Sequence, residues 1–83
     1  MINYILIDSS STECNNELKR FISKMEAVTM VVEYYNKVEI LLDDKHKNFD
    51  VERDYLHELF IHYKIPVIKI YKQIYNSYEE YLH

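Results

Sequence analysis

The chain has 83 residues, 48% of them hydrophobic and 29% charged, the balance of one globular domain spanning residues 1–83 rather than of a disordered chain. Ten basic and fourteen acidic side chains give a net charge of −4 without any basic stripe, which argues against nucleic acid as a partner. With no glycine and one cysteine, the chain cannot build a Walker loop, a dinucleotide fingerprint, an internal disulfide or a Cys-rich zinc site.

Ile2–Asp8 is a short apolar run of β-formers, apolar on both faces near its centre, and is expected as an interior strand. Ser10 and Glu13 have capping-box spacing before a helix whose apolar arc is Cys14, Leu18, Phe21, Ile22 and Met25. Ala27–Tyr35 and Lys37–Asp43 are β-rich runs that form a hairpin at Asn36, because in a chain without glycine a left-handed turn residue should be Asn or Asp. Simple alternation points Val28, Met30, Val32 and Tyr34 inward with Val38, Ile40 and Leu42, and turns Thr29, Val31, Glu33, Tyr35, Glu39 and Leu41 outward.

Asp50 is the expected N-cap of a second helix, with Val51, Tyr55, Leu56, Leu59, Phe60 and Tyr63 facing the core. Ile65-Pro66 ends it, since the residue before proline is driven to extended geometry. Val67–Tyr71 is a fourth strand, placed at an edge by Pro66 as its first residue, with Val67, Lys69 and Tyr71 on one face. A last helix is expected from about Lys72 to Leu82, striped by Ile74, Tyr75, Tyr78, Tyr81 and Leu82.

The order β-α-β-β-α-β-α predicts an α+β fold, a ferredoxin-like βαββαβ sandwich with an added C-terminal helix; a reduced thioredoxin-like fold is the alternative, weakened by its missing cysteine pair. Two helices leave one sheet face open, and that face is apolar enough to need a cover: the C-terminal helix, a second copy in a homodimer, or another protein.

Residues that could carry chemistry are few. His57-Glu58-Leu59-Phe60-Ile61-His62 has its second histidine five residues on, where a zinc-protease helix needs four. Asp54, Glu58 and His62 share a helical stripe, which reads as a solvated face rather than a metal site. Cys14 falls in the apolar arc and is expected buried and inert. Asp8 ends its strand where some ferredoxin-like nucleases hold a metal between subunits, which makes a small dimeric metal-dependent nuclease one alternative. An RNA-binding ferredoxin-like domain is another, but the glycines and basic residues of the RNA-recognition signature are missing.

The function expected is therefore non-enzymatic, without cofactor or metal: a small protein-binding module acting by surface occlusion. Its contact residues are expected at the hairpin end (Tyr34, Tyr35, Asn36, Lys37) and on the outer face of the second helix (Arg53, His57, Ile61). Nine tyrosines against no glycine and one proline point to AT-rich codons, and so to a low-GC source. The most concrete version is a viral or mobile-element inhibitor of a host defence protein. No apolar run reaches the ~18 residues of a membrane span, and no basic segment precedes the first apolar stretch, so a cytoplasmic location is expected, in the host cell if the source is a virus.

Overall fold

The computed structural model describes the backbone of residues 2–74 and 77–81, and the side chains of residues 3–70. The elements are β1 (Ile2–Asp8), α1 (Asn16–Ser23), β2 (Val28–Glu33), β3 (Lys37–Asp43), α2 (Phe49–His62), β4 (Val67–Ile74) and β5 (Ser77–Tyr81). The fold is α+β. The strands form one sheet in the order β2-β3-β1-β4-β5, antiparallel throughout, so no parallel pair of the kind a thioredoxin-like sheet contains is present among them.

β1 is the central strand, as its two apolar faces predict. Its Ile5 and Ile7 join Val38, Ile40 and Leu42 of β3 in a single core cluster with Ile22 of α1 and Leu56 and Phe60 of α2. Both helices therefore cover the same sheet face.

The C-terminal segment departs from expectation. β4 runs on to Ile74, and Ser77–Tyr81 returns as β5, where a helix was expected. The register sets Lys72 opposite Glu79 and Gln73 opposite Tyr78. A tyrosine-rich segment satisfies either period, and here the open ladder of β4 supplies backbone partners that a terminal helix would have to find within itself. The fifth strand thus extends the sheet instead of covering its open face. It also moves β4 off the edge, and Pro66 precedes that strand rather than starting it. Tyr75, Asn76 and Leu82 of the expected helix lie outside the described residues.

Two β-bulges overturn the alternation predicted for β2 and β4. Val28 pairs with Leu42 but Met30 with Leu41, so Thr29 is an extra residue in β2. Past it the faces exchange: Val31, opposite Ile40, packs on the core, while Met30 and Val32 turn to the other side. In β4, Ile7 pairs with Val67 and Leu6 with Lys69, which separates Val67, packed against the core, from Lys69. The face away from the helices then carries Tyr4, Leu6, Val32, Leu41 and Met30 with Glu39 and Lys69 in register on either side of Leu6. Tyr4 is buried to 7% exposure there without a covering helix, and Met30 is 56% exposed.

The helix starts also shift from their sequence signals, α1 beginning later and α2 two residues earlier. α1 is capped by Asn15, whose Oδ1 accepts from the Leu18 N–H at 2.9 Å; Ser10 instead turns back to Asp8. Asn48, not Asp50, stands at the N-cap of α2; its side chain makes no capping bond and instead donates to Glu26 Oε2 at 2.9 Å, and Asp50 lies in the first turn. The inner face of α2 is Phe49, Leu56 and Phe60, with Leu59 partly buried, while Val51, Tyr55 and Tyr63 are exposed. The Glu52 carboxylate reaches inward to accept the N–H of fully buried Ala27 at 2.8 Å, tying α2 to the approach to β2.

The left-handed residue is neither Asn nor Asp. Lys64 has φ 56°, and it is the one positive φ among the described residues. It follows α2 as the Lys64 N–H bonds to the Ile61 carbonyl and the Ile65 N–H to the Phe60 carbonyl, the paired bonds of a Schellman stop. The hairpin at Asn36 does without a left-handed residue because two bonds hold it: Tyr34 N–H to the Lys37 carbonyl at 2.8 Å, and Ser9 N–H to the Asn36 carbonyl at 2.9 Å.

Candidate functional site

One end of the sheet gathers the residues expected to make contacts. β1 finishes there at Asp8, the β2–β3 hairpin turns there, and α2 hands over to β4 there. Ser9 N–H donates to the Asn36 carbonyl, and Asp8 N–H donates to the Pro66 carbonyl, each at 2.9 Å. The central strand therefore holds the hairpin tip and the α2–β4 corner in fixed register with each other.

On the hairpin side, Tyr35 is fully exposed and Tyr34 about half exposed, with its hydroxyl 3.5 Å from Glu39 Oε1. Asn36 and Lys37 are also exposed, and Lys37 stands opposite Asp8 in the ladder. On the other side a cleft of about 370 Å³ lies between α2 and the start of β4, walled by His57, Ile61, Lys64, Pro66 and Val67 with Phe60 and Ile65 at its base. Ile61 is 65% exposed, an aliphatic side chain presented to solvent beside an apolar recess.

Arg53 stands apart from this cleft. Its guanidinium lies 3.5 Å from Asp50 and 3.4 Å from Asp54, and 5.1 Å from the centre of the Phe49 ring, so its charge is used at the start of α2. Of the seven expected contact residues, the structure gathers six at one end of the sheet and leaves Arg53 one turn before His57 and two before Ile61 along the helix.

Asp8 is engaged by its own loop. The Ser10 hydroxyl donates to Oδ1 at 2.7 Å and the Ser10 backbone N–H at 2.9 Å. These two bonds, hydroxyl first, hold the Asp8 carboxyl below the usual carboxylate range; partial desolvation opposes them and the Lys37 charge adds to them. No group of three His, Cys, Asp or Glu is placed to hold a metal ion among the described residues, the Asp54–Glu58–His62 stripe included. Cys14 is buried in the core cluster, and that burial pushes its thiol above the ordinary range.

A second concavity escaped the sequence reading. Between α1 and α2 runs a groove of about 350 Å³ walled by Leu18 and Phe21 on one side and Tyr55, Leu59 and Tyr63 on the other, with Glu13, Asn15 and Glu17 on its rim. The Phe21 and Tyr55 rings meet at 6.1 Å between centroids, tilted by 52°. All five apolar residues fall in the predicted core arcs. The available signal was the width of those arcs: six apolar positions on α2 exceed what one sheet face can bury under a single helix.

No helix among the described residues is long and apolar enough to cross a membrane. Comparison of the chain with protein-family models, with curated proteins and with solved structures finds no match.

Proposed function

We propose that this protein is a ferredoxin-like interaction module, extended by a fifth strand, that works by binding another protein and occluding its surface rather than by catalysis. The observation that carries the reading is the end of the sheet. There a fully exposed tyrosine and a solvent-facing isoleucine beside an apolar cleft are fixed relative to each other by the paired Ser9–Asn36 and Asp8–Pro66 backbone bonds. Aromatic and aliphatic anchors held on a rigid frame are the usual source of binding energy in protein interfaces, because little side-chain and loop entropy is lost on docking. Lys37 and Lys64 flank the anchors and would set orientation. The low-GC composition is what supports the narrower version, an inhibitor carried by a virus or mobile element and aimed at a host defence protein.

The test is comparative capture. Wild-type chain, Tyr35→Ala, Ile61→Glu and the control Val51→Glu are immobilised and exposed to bacterial lysate, and retained proteins are quantified by mass spectrometry. Val51 is a fitting control because it is 73% exposed and lies outside the cleft. A partner retained by wild type and Val51→Glu but lost from both other variants is expected. A partner retained equally by all four chains would refute the assignment of the sheet end.

A further inference from the structure

The groove between α1 and α2 differs from the sheet-end cleft in chemistry. Its walls are two leucines and three aromatic rings, its rim holds two carboxylates, and among the described residues no Lys, Arg or His lines it. Among the described residues neither Glu13 nor Glu17 is in an ion pair: those pairs use Glu26, Glu33, Asp50 and Asp54. The basic residues of α1 are directed elsewhere, since Lys19 bridges to Glu33 and shares with Arg20 a different concavity, beside Val31. The groove thus combines apolar floor, aromatic faces and uncompensated negative charge, on a chain whose net charge is −4.

We infer that this groove binds a basic peptide segment of a partner protein, with arginine side chains alternating with aliphatic ones. The charge selects a cation: a carboxylate-bearing segment would meet Glu13 and Glu17 with repulsion and find no counter-charge. The rings of Phe21, Tyr55 and Tyr63 select a cation that can also lie on aromatic faces, which favours guanidinium. The shape selects a peptide over a small amine. Tyr55, Leu59 and Tyr63 recur every four residues on α2 and extend the wall by roughly 12 Å, the length of three or four extended residues. Leu18 and Leu59 give aliphatic contact between the charged positions. This reading is independent of the sheet-end proposal, and either can fail without the other.

The experiment is an NMR titration of the ¹⁵N-labelled full chain with blocked Leu-Arg-Leu-Arg, and with blocked Leu-Glu-Leu-Glu as the charge-reversed probe. Saturable shifts confined to amides around Leu18, Phe21, Tyr55 and Tyr63 are expected with the arginine peptide and none with the glutamate peptide. The double variant Glu13→Gln/Glu17→Gln, which keeps the shape of the rim, should bind roughly tenfold more weakly, about what two exposed charge pairs contribute. Any of three results would overturn the inference: no saturable shift in the groove, equal response to both peptides, or unchanged affinity in the double variant. Groove shifts that depend on protein concentration without peptide would also overturn it, because a second copy would then be the occupant.

Discussion

Glu52 is the most direct probe of how the helical layer is held on the sheet. Its Oε1 accepts the Ala27 N–H at 2.8 Å, and Ala27 is fully buried, so no water can replace the carboxylate. Glu52→Ala orphans that donor. A buried hydrogen bond to a charged group contributes ~1.5–3 kcal/mol, and loss of an acid near the helix N-terminus adds ~0.3–1. The better helix propensity of alanine returns a few tenths, so the net cost is about 2 kcal/mol. For 83 residues the whole stability is ~4–12 kcal/mol, and this loss lowers the melting temperature by about 8–16 °C. Glu52→Gln keeps an acceptor oxygen without the charge and should lose about half as much. Asp50→Ala, in the same exposed first turn, should stay within about 0.5 kcal/mol. Urea unfolding followed by circular dichroism measures all three, and exchange of the Ala27 amide reports the bond itself. Equal losses in the Ala and Gln variants, or slow Ala27 exchange in Glu52→Ala, would refute this account of the α2 attachment.

Three further perturbations test other parts of the frame. Lys64→Gly relieves a left-handed backbone that costs a side-chain-bearing residue ~1–2 kcal/mol; after the extra unfolded-state entropy of glycine, a gain of about 0.5–1 kcal/mol in urea unfolding is expected, and Lys64→Ala should show none. If the bulge at Thr29 is correctly placed, Val31→Lys drives a cation beneath α1 beside Lys19 and Arg20 and costs ~2–3 kcal/mol, whereas Val32→Lys, opposite Glu39, stays within ~1; uninterrupted alternation predicts the reverse order. Burial raises the Cys14 thiol, so above the ordinary thiol value near 8.5 the unfolded chain binds fewer protons than the folded one; stability should be flat below that pH, fall as pH rises through the folded value, and lose this slope in Cys14→Ala.

Where local pattern and tertiary environment agree, the sequence is a good guide. β1 is apolar on both faces and is central; α2 ends just before the Ile65-Pro66 pair; Cys14 lies in an apolar arc and is buried. Failures arise where one residue changes the count. Thr29 and Ile68 carry no mark of a bulge, yet each adds a residue to its strand and exchanges the faces beyond it, so Val31 and Lys69 fall opposite to their alternation. Two apolar stripes as wide as those of α1 and α2 cannot show from periodicity alone which edge meets the sheet and which meets the neighbouring helix, and the groove is made from those outer edges. The terminal segment failed for a different reason. Its tyrosines suit helix and strand alike, and the decision rests with the free edge of β4, which is a property of the assembled sheet.

The sheet end shows how these terms combine. A chain without glycine cannot readily make the left-handed turns that pin a hairpin to its own strands, and here the hairpin tip contains no positive φ. Its geometry is set by its own Tyr34–Lys37 bond and, from outside, by the Ser9 N–H just past the central strand, while the preceding Asp8 N–H fixes the Pro66 carbonyl on the other side. Asp8 itself is kept in place by the two Ser10 bonds that lower its pKa. Two loops far apart in sequence therefore share one anchor, and Tyr35 and Ile61 inherit their relative placement from consecutive backbone groups rather than from contact with each other. That arrangement leaves both side chains free to meet a partner while their supporting backbone is already ordered, and it is why the sheet end, rather than any other exposed apolar residue, carries the binding assignment.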